Sequence, residues 1–310
     1  MKHFKIPIGI TFLTILFLSG IHNGCSKNES AIQQHTASVK SEEEIQKKTM
    51  IEEEIERNKK LLEADPNDAR VHYHLGLLYE EKGEKAMLDK SLAAYKRAVE
   101  LNPSMVEALV GQGNVLNKQG KPDEAILVFK KAIEVNSHYA EAYEGLGLVY
   151  IHKKQDDDAV NAFNKAIGIN PGLVNSRYNL GILYTKNAQF ADAVAEWKRA
   201  IEINPQKMEI YYNLGIAYVK TGKMDEAISV WQQALKVRPD MANFHYNIAL
   251  VYKEKGNLDK AEASLKKTLE VNPNYVEVHK VLEEVYRLKG MFGDADRHAE
   301  LYRSQSSPHH

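Results

Sequence analysis

Cys25 is the only cysteine in the 310 residues, and with 12 histidines and the carboxylates it makes up the side chains that could do catalytic or metal chemistry. A single thiol excludes an intrachain disulfide and any zinc site built on several thiolates. His72 and His74 stand two apart, so on a helix they point to different faces and do not form an i, i+4 metal pair. His309 and His310 merely end the chain. There is no Gly-Lys-Ser/Thr phosphate loop and no Gly-x-Ser-x-Gly elbow, and the runs Glu42 to Glu44 and Glu52 to Glu54 read as a solvated helix face. No cofactor, metal or catalytic centre is therefore expected. What does recur is a doublet: Tyr178-Asn179, Tyr212-Asn213 and Tyr246-Asn247 lie 34 residues apart. An asparagine amide both donates and accepts, so three in register could pair with the backbone of an extended segment while the tyrosines supply amphipathic contact area. The same doublets could equally serve local packing.

Composition points the same way. Forty-one basic against 42 acidic residues leave a net charge of −1, which gives no general reason to bind nucleic acid. An apolar fraction of 44% and a charged fraction of 27% suit a soluble folded chain.

The elements that would position the doublets follow from periodicity. Pro171, Pro205, Pro239 and Pro273 recur every 34 residues, in register with Leu146-Gly147, Leu180-Gly181 and Leu214-Gly215. Tyr79, Tyr150, Tyr184, Tyr218, Tyr252 and Tyr286 hold one repeat position. Ala159, Ala193 and Ala227 follow, then Phe163, Trp197 and Trp231, then Ala166, Ala200 and Ala234. Such a period means stacked helical hairpins, each covering its neighbour's apolar side.

This order of residues resembles the tetratricopeptide repeat family over about residues 66–303, with copies at 69–105, 106–139, 140–173, 174–207, 208–241, 242–275 and 276–303. The resemblance implies an all-α fold, a right-handed α-solenoid of stacked antiparallel hairpins whose first helices line a concave groove. Second, fifth, sixth, ninth and twelfth repeat positions commonly face that groove. The groove candidates are therefore Asn114, Tyr178, Asn179, Tyr212, Asn213, Tyr246 and Asn247. The family's clamp for a C-terminal carboxylate needs Lys at the fifth position. Here Tyr73, Val110, Glu144, Tyr178, Tyr212 and Tyr246 stand in its place, so that specificity is not expected.

Before the repeats, Lys2 and Lys5 precede the uncharged stretch from Ile6 to Ile21, an export-signal layout for residues 1–24. Gly24-Cys25-Ser26 resembles the lipobox of bacterial lipoproteins, departing from it at His22, and implies lipid attachment at Cys25. A cleaved signal without lipid and an uncleaved anchor are the alternatives. By that resemblance the serine after the cysteine implies an outer-membrane lipoprotein facing the periplasm. Residues 25–40 are polar and aperiodic and read as a flexible tether, residues 41–65 as a flanking helix with Ile51, Ile55 and Leu62 on one face, and residues 304–310 as a disordered tail. The expected function is a membrane-tethered, non-catalytic scaffold holding segments of partner proteins for a cell-envelope assembly such as a pilus, secretion channel, outer-membrane assembly machine or polysaccharide exporter. A self-associating homo-oligomer and a soluble periplasmic adaptor are the alternatives.

Overall fold

A computed structural model of the chain describes residues 25–306, with side chains described from residue 45 on. The export-signal reading of residues 1–24 and the last four residues of the expected tail, 307–310, lie outside the described residues. The chain divides into two units, Met1–Arg57 and Asn58–His310.

Most of helix α1 (Cys25–Ala64) belongs to the first unit. Its extent corrects the sequence reading, which placed a tether over 25–40 and began the helix at 41. The stretch lacks apolar periodicity, but from Ser26 to Asp65 it also lacks Gly and Pro and is rich in Glu, Gln and Lys, so nothing in it interrupts a helix. The interruption comes at Asp65-Pro66, where the residue before proline is pushed out of the helical region. Ile51 and Ile55, one turn apart, are buried. At the other end the helix likewise runs on past residue 304, as far as Ser306.

The second unit contains seven antiparallel hairpins. They pair α2 (Ala69–Lys82) with α3 (Lys85–Leu101), α4 (Val106–Lys118) with α5 (Pro122–Val135), and α6 (Ala140–His152) with α7 (Asp156–Ile169). Then come α8 (Val174–Lys186) with α9 (Phe190–Ile203), and α10 (Met208–Lys220) with α11 (Met224–Val237). The last two are α12 (Ala242–Glu254) with α13 (Leu258–Val271), and α14 (Glu277–Leu288) with α15 (Phe292–Ser306). Among the described residues there is no strand. First helices of successive hairpins touch one another, α2 with α4, α4 with α6, α8 with α10 and α12 with α14, whereas no two second helices approach to the same extent among the described residues. The stack therefore curves with its first helices on the inner side.

In the first five copies one aromatic sets the spacing, with Leu265 and Ala299 in its place in the last two. A Cβ added at Gly181 would stand 2.2 Å from Trp197 Nε1, and one at Gly215 2.1 Å from Trp231 Nε1, so the second helix approaches its partner only because those positions lack a side chain. The aromatic also reaches the next hairpin: Tyr95 lies against both Gly76 and Gly111, and Phe129 against Gly113 and Gly145. Tyr95, Phe129, Phe163, Trp197 and Trp231 are all buried.

Junctions between copies are built alike. Asn102, Asn136, Asn170, Asn204 and Asn272 each end a second helix, and the side-chain oxygen of each accepts from the backbone N–H two residues on at 2.9–3.2 Å. Asx turns of this kind close the helix where the repeat's proline follows, or Ser137 in its place after Asn136. In the fifth copy Arg238 replaces the asparagine and pairs with Asp240 at 3.0 Å. On the edge formed by the turns within the hairpins, a polar bond across 30 residues joins successive copies at five of the six junctions. Gln119 donates to Asp89 at 2.9 Å, Lys153 to Asp123 at 2.5 Å and Lys289 to Asp259 at 2.7 Å, and Lys186 pairs with Asp156 and Lys255 with Asp225. The series is interrupted between the fourth and fifth copies, where Ala191 and Thr221 hold the corresponding positions.

Candidate functional site

Two hollows lie on the inner side. The first, of about 410 Å³, crosses α2, α4 and α6 and is lined by Tyr73, Leu77, Val110, Asn114, Tyr139 and Leu148, with the glutamates Glu80, Glu107, Glu141 and Glu144 among them. The second, of about 350 Å³, crosses α8, α10 and the start of α12, with Tyr178, Met208, Glu209, Tyr212, Asn213 and Phe244 in its wall.

The glutamates of the first hollow leave an electrostatic mark on its phenols. Tyr139 is pushed up to about 12, first by burial and then by Glu141 and Glu107. Tyr73 is raised by burial and then by Glu107 and Glu80, and Tyr95 in the floor is raised by burial and by Glu80, whose carboxylate its hydroxyl meets at 3.0 Å. Phenolate formation is disfavoured in all three, so each hydroxyl remains a donor at neutral pH.

The sequence-derived groove residues are distributed unevenly. Asn114 lines the first hollow, and Tyr178, Tyr212 and Asn213 come together in the second. Tyr212 is 40% exposed. Asn213 Nδ2 donates to the Tyr178 hydroxyl at 3.2 Å, tying the fifth copy to the fourth. Lys207 Nζ stands 4.8 Å over the Tyr178 ring and donates to Asn175 Oδ1 at 2.5 Å. Asn179, Tyr246 and Asn247 are half-buried and line neither hollow; Tyr246 packs against Tyr275 with ring centroids 5.0 Å apart. The sixth position that holds Asn179, Asn213 and Asn247 is Gly111 and Gly145 in the second and third copies, where it abuts the preceding aromatic. Cys25 is the first residue of α1, and its side chain lies outside the described ones.

Sequence reasoning missed the acidic first hollow. The signal was present at the second repeat position, where Glu107, Glu141, Glu209 and Glu277 share a column. No group of three or more His, Cys, Asp or Glu side chains suited to a metal ion occurs among the described residues, and no described helix is long and apolar enough to cross a membrane. His72 Nε2 instead meets the Pro66 carbonyl oxygen at 2.9 Å.

Comparison with known proteins matches this architecture. Models described as tetratricopeptide repeat match residues 69–105, 140–173 and 242–275, and a TPR repeat model matches 113–154, 184–222 and 217–256. The chain is similar to YrrB, described as a TPR protein with an unusual peptide-binding site, at 28% identity and a TM-score of 0.52, over 61% of this chain and 97% of that one. It shares its fold with the C-terminal part of a TPR repeat-containing protein from Cytophaga hutchinsonii, at 13% identity and a TM-score of 0.65, over 77% of this chain and 96% of that one. A 64-residue stretch, 20% of this chain, is 36% identical to the photosystem I assembly protein Ycf3 of Acaryochloris marina and spans 37% of that protein's length. With hairpin order, glycine–aromatic packing and matched repeats in agreement, the chain belongs to the tetratricopeptide repeat family.

Proposed function

We propose that this protein is a non-catalytic scaffold that holds segments of partner proteins in its concave groove. The observation that carries the reading is the inner side itself. Leu77, Ile182 and Tyr212 are 43%, 40% and 40% exposed on first helices, beside two hollows lined with tyrosine, asparagine and carboxylate groups. Apolar contact area interleaved with donors and acceptors suits an extended peptide. The similarity to YrrB, whose description names a peptide-binding site, supports the same reading. We place the scaffold in the bacterial cell envelope, attached to the outer membrane through a lipid on Cys25 and serving assembly of an envelope complex.

A photo-crosslinking residue at Leu77 or at Tyr212 is expected to capture partner protein, whereas the same residue at Leu127, 68% exposed on α5, is not. Equal capture from Leu127, or none from either groove position, would remove the groove as the binding face. For the anchor, Cys25→Ala is expected to move the protein from the membrane to the soluble fraction; unchanged retention counts against lipid attachment.

A further inference from the structure

The two hollows differ in charge. In the first, Lys118 is the only lining cation among the described residues and is committed to Glu80 at 2.7 Å. Glu144 accepts from Ser176 Oγ at 2.6 Å. Glu107 and Glu141 are exposed, stand one copy apart at the second repeat position, and have no ion-pair partner among the described residues. Tyr73 and Tyr139 line the same space.

The second hollow indicates what such a place accepts. Beside it the chain's own Lys207 lies over the ring of Tyr178, one of its lining residues, and donates to Asn175. Asn175 and Lys207 hold the second and last positions of the fourth copy; the second copy has Glu107 and Tyr139 there. The first hollow thus retains acceptors and aromatic surface and lacks an internal cation to use them.

We infer that the hollow across α2, α4 and α6 takes the arginine or lysine side chain of an extended partner segment, an inference that rests on the groove reading above. A guanidinium can lie on a tyrosine face while donating to two carboxylates, which an ammonium does with less directional precision, so arginine is the preferred occupant. A neutral or acidic segment would cover Glu107 and Glu141 without compensating them, and burial of an unpaired charge is unfavourable. Charge thereby selects the partner, and apolar contact with Leu77 and Val110 holds it.

The test uses the full chain and the probe acetyl-Gly-Ser-Leu-Arg-Leu-Ser-Gly-amide, with a second peptide carrying citrulline, the neutral isostere, in place of arginine. The arginine peptide is expected to bind at least about tenfold more tightly than the citrulline peptide at low salt, as for a charge-assisted pair, with the difference shrinking as salt is added. The double variant Glu107→Gln, Glu141→Gln is expected to lose the same factor toward the arginine peptide with its unfolding midpoint unchanged. Equal binding of the two peptides, no binding of either, or an indifferent double variant would overturn the inference. Crosslinking from Leu77 separates the two levels: capture that persists in the double variant leaves the groove reading standing and removes only the cation.

Discussion

Replacing Gly215 with Ala puts the aromatic spacing of the hairpins to a quantitative test. In a helix interior the change by itself stabilises by about 1 kcal/mol, because glycine loses more backbone freedom on folding. In α10 the new Cβ would stand 2.1 Å from both Cε2 and Nε1 of Trp231, against an ordinary carbon contact of about 3.5–4.0 Å. The indole must therefore retreat by more than an ångström, yet it is only 1% exposed and enclosed by the neighbouring hairpins. Overpacking of this kind costs about 1–3 kcal/mol and more where the neighbour cannot give. Because Trp231 is enclosed, the upper part of that range applies, about 2–3 kcal/mol; less the gain in helix propensity, the net is a loss of about 1–2 kcal/mol, or a Tm lower by roughly 2–8 °C for a unit of this size. The control is Gly168→Ala in α7, where nothing lies within 4 Å of the added Cβ and the propensity gain is unopposed. Thermal unfolding followed by far-UV circular dichroism reads both. Should Gly215→Ala unfold at or above the wild-type temperature, the account of Trp231 as the spacer is wrong.

Three further outcomes are expected. Trp197→Phe should cost about 1 kcal/mol more than Trp231→Phe in urea unfolding, because Trp197 Nε1 donates to the Tyr178 carbonyl at 3.1 Å whereas Trp231 Nε1 is buried without a partner. Ala188→Gly should raise the unfolding free energy by about 1 kcal/mol, since Ala188 holds a left-handed φ of 58° at the position occupied by Gly120, Gly222, Gly256 and Gly290 in other copies. Finally, the last hairpin should weaken in mild acid. His279 and His298 meet Nδ1 to Nδ1 at 3.0 Å, and burial lowers both pKa values; Arg297, Lys266 and Asp294 surround His298, and Tyr286 stacks on it. Because the unfolded rings protonate first, stability is complete above about pH 6.5, falls as pH drops through that value, and levels off below the depressed folded values. Hydrogen exchange in α14 and α15 at two pH values reads it, and His298→Phe should flatten the dependence; an unchanged slope would exclude the pair as its source.

Much of the fold was legible because packing repeats itself. Gly181, Trp197 and Ala200 recur a period later as Gly215, Trp231 and Ala234, each pair of copies imposing the same contact on the next. The binding surface was harder to read because nothing internal constrains its columns: the second repeat position runs Arg70, Glu107, Glu141, Asn175, Glu209, Asn243, Glu277. The asparagine doublets stood out by their regularity, but their column also packs against the preceding aromatic, as Gly111 and Gly145 do. Residues 25–40 were misread for a different reason: apolar periodicity was the signal relied on, and a sequence without it signals a helix only through the absence of breakers.

The polar bonds along the turn edge span 30 residues, four short of one period. Gene rearrangement in whole copies therefore keeps the spacing of the bonding positions intact, and the residues at the new junction decide whether the bond forms. Excising residues 174–207 would remove Lys186 from Asp156 and bring Lys220, its counterpart one period later, into the vacated place. Excising 208–241 would instead set Lys255 against Ala191, which has no carboxylate to offer. The chain is thus asymmetric toward its own recombination: loss of the fourth copy leaves a junction with its bond restored, and loss of the fifth does not.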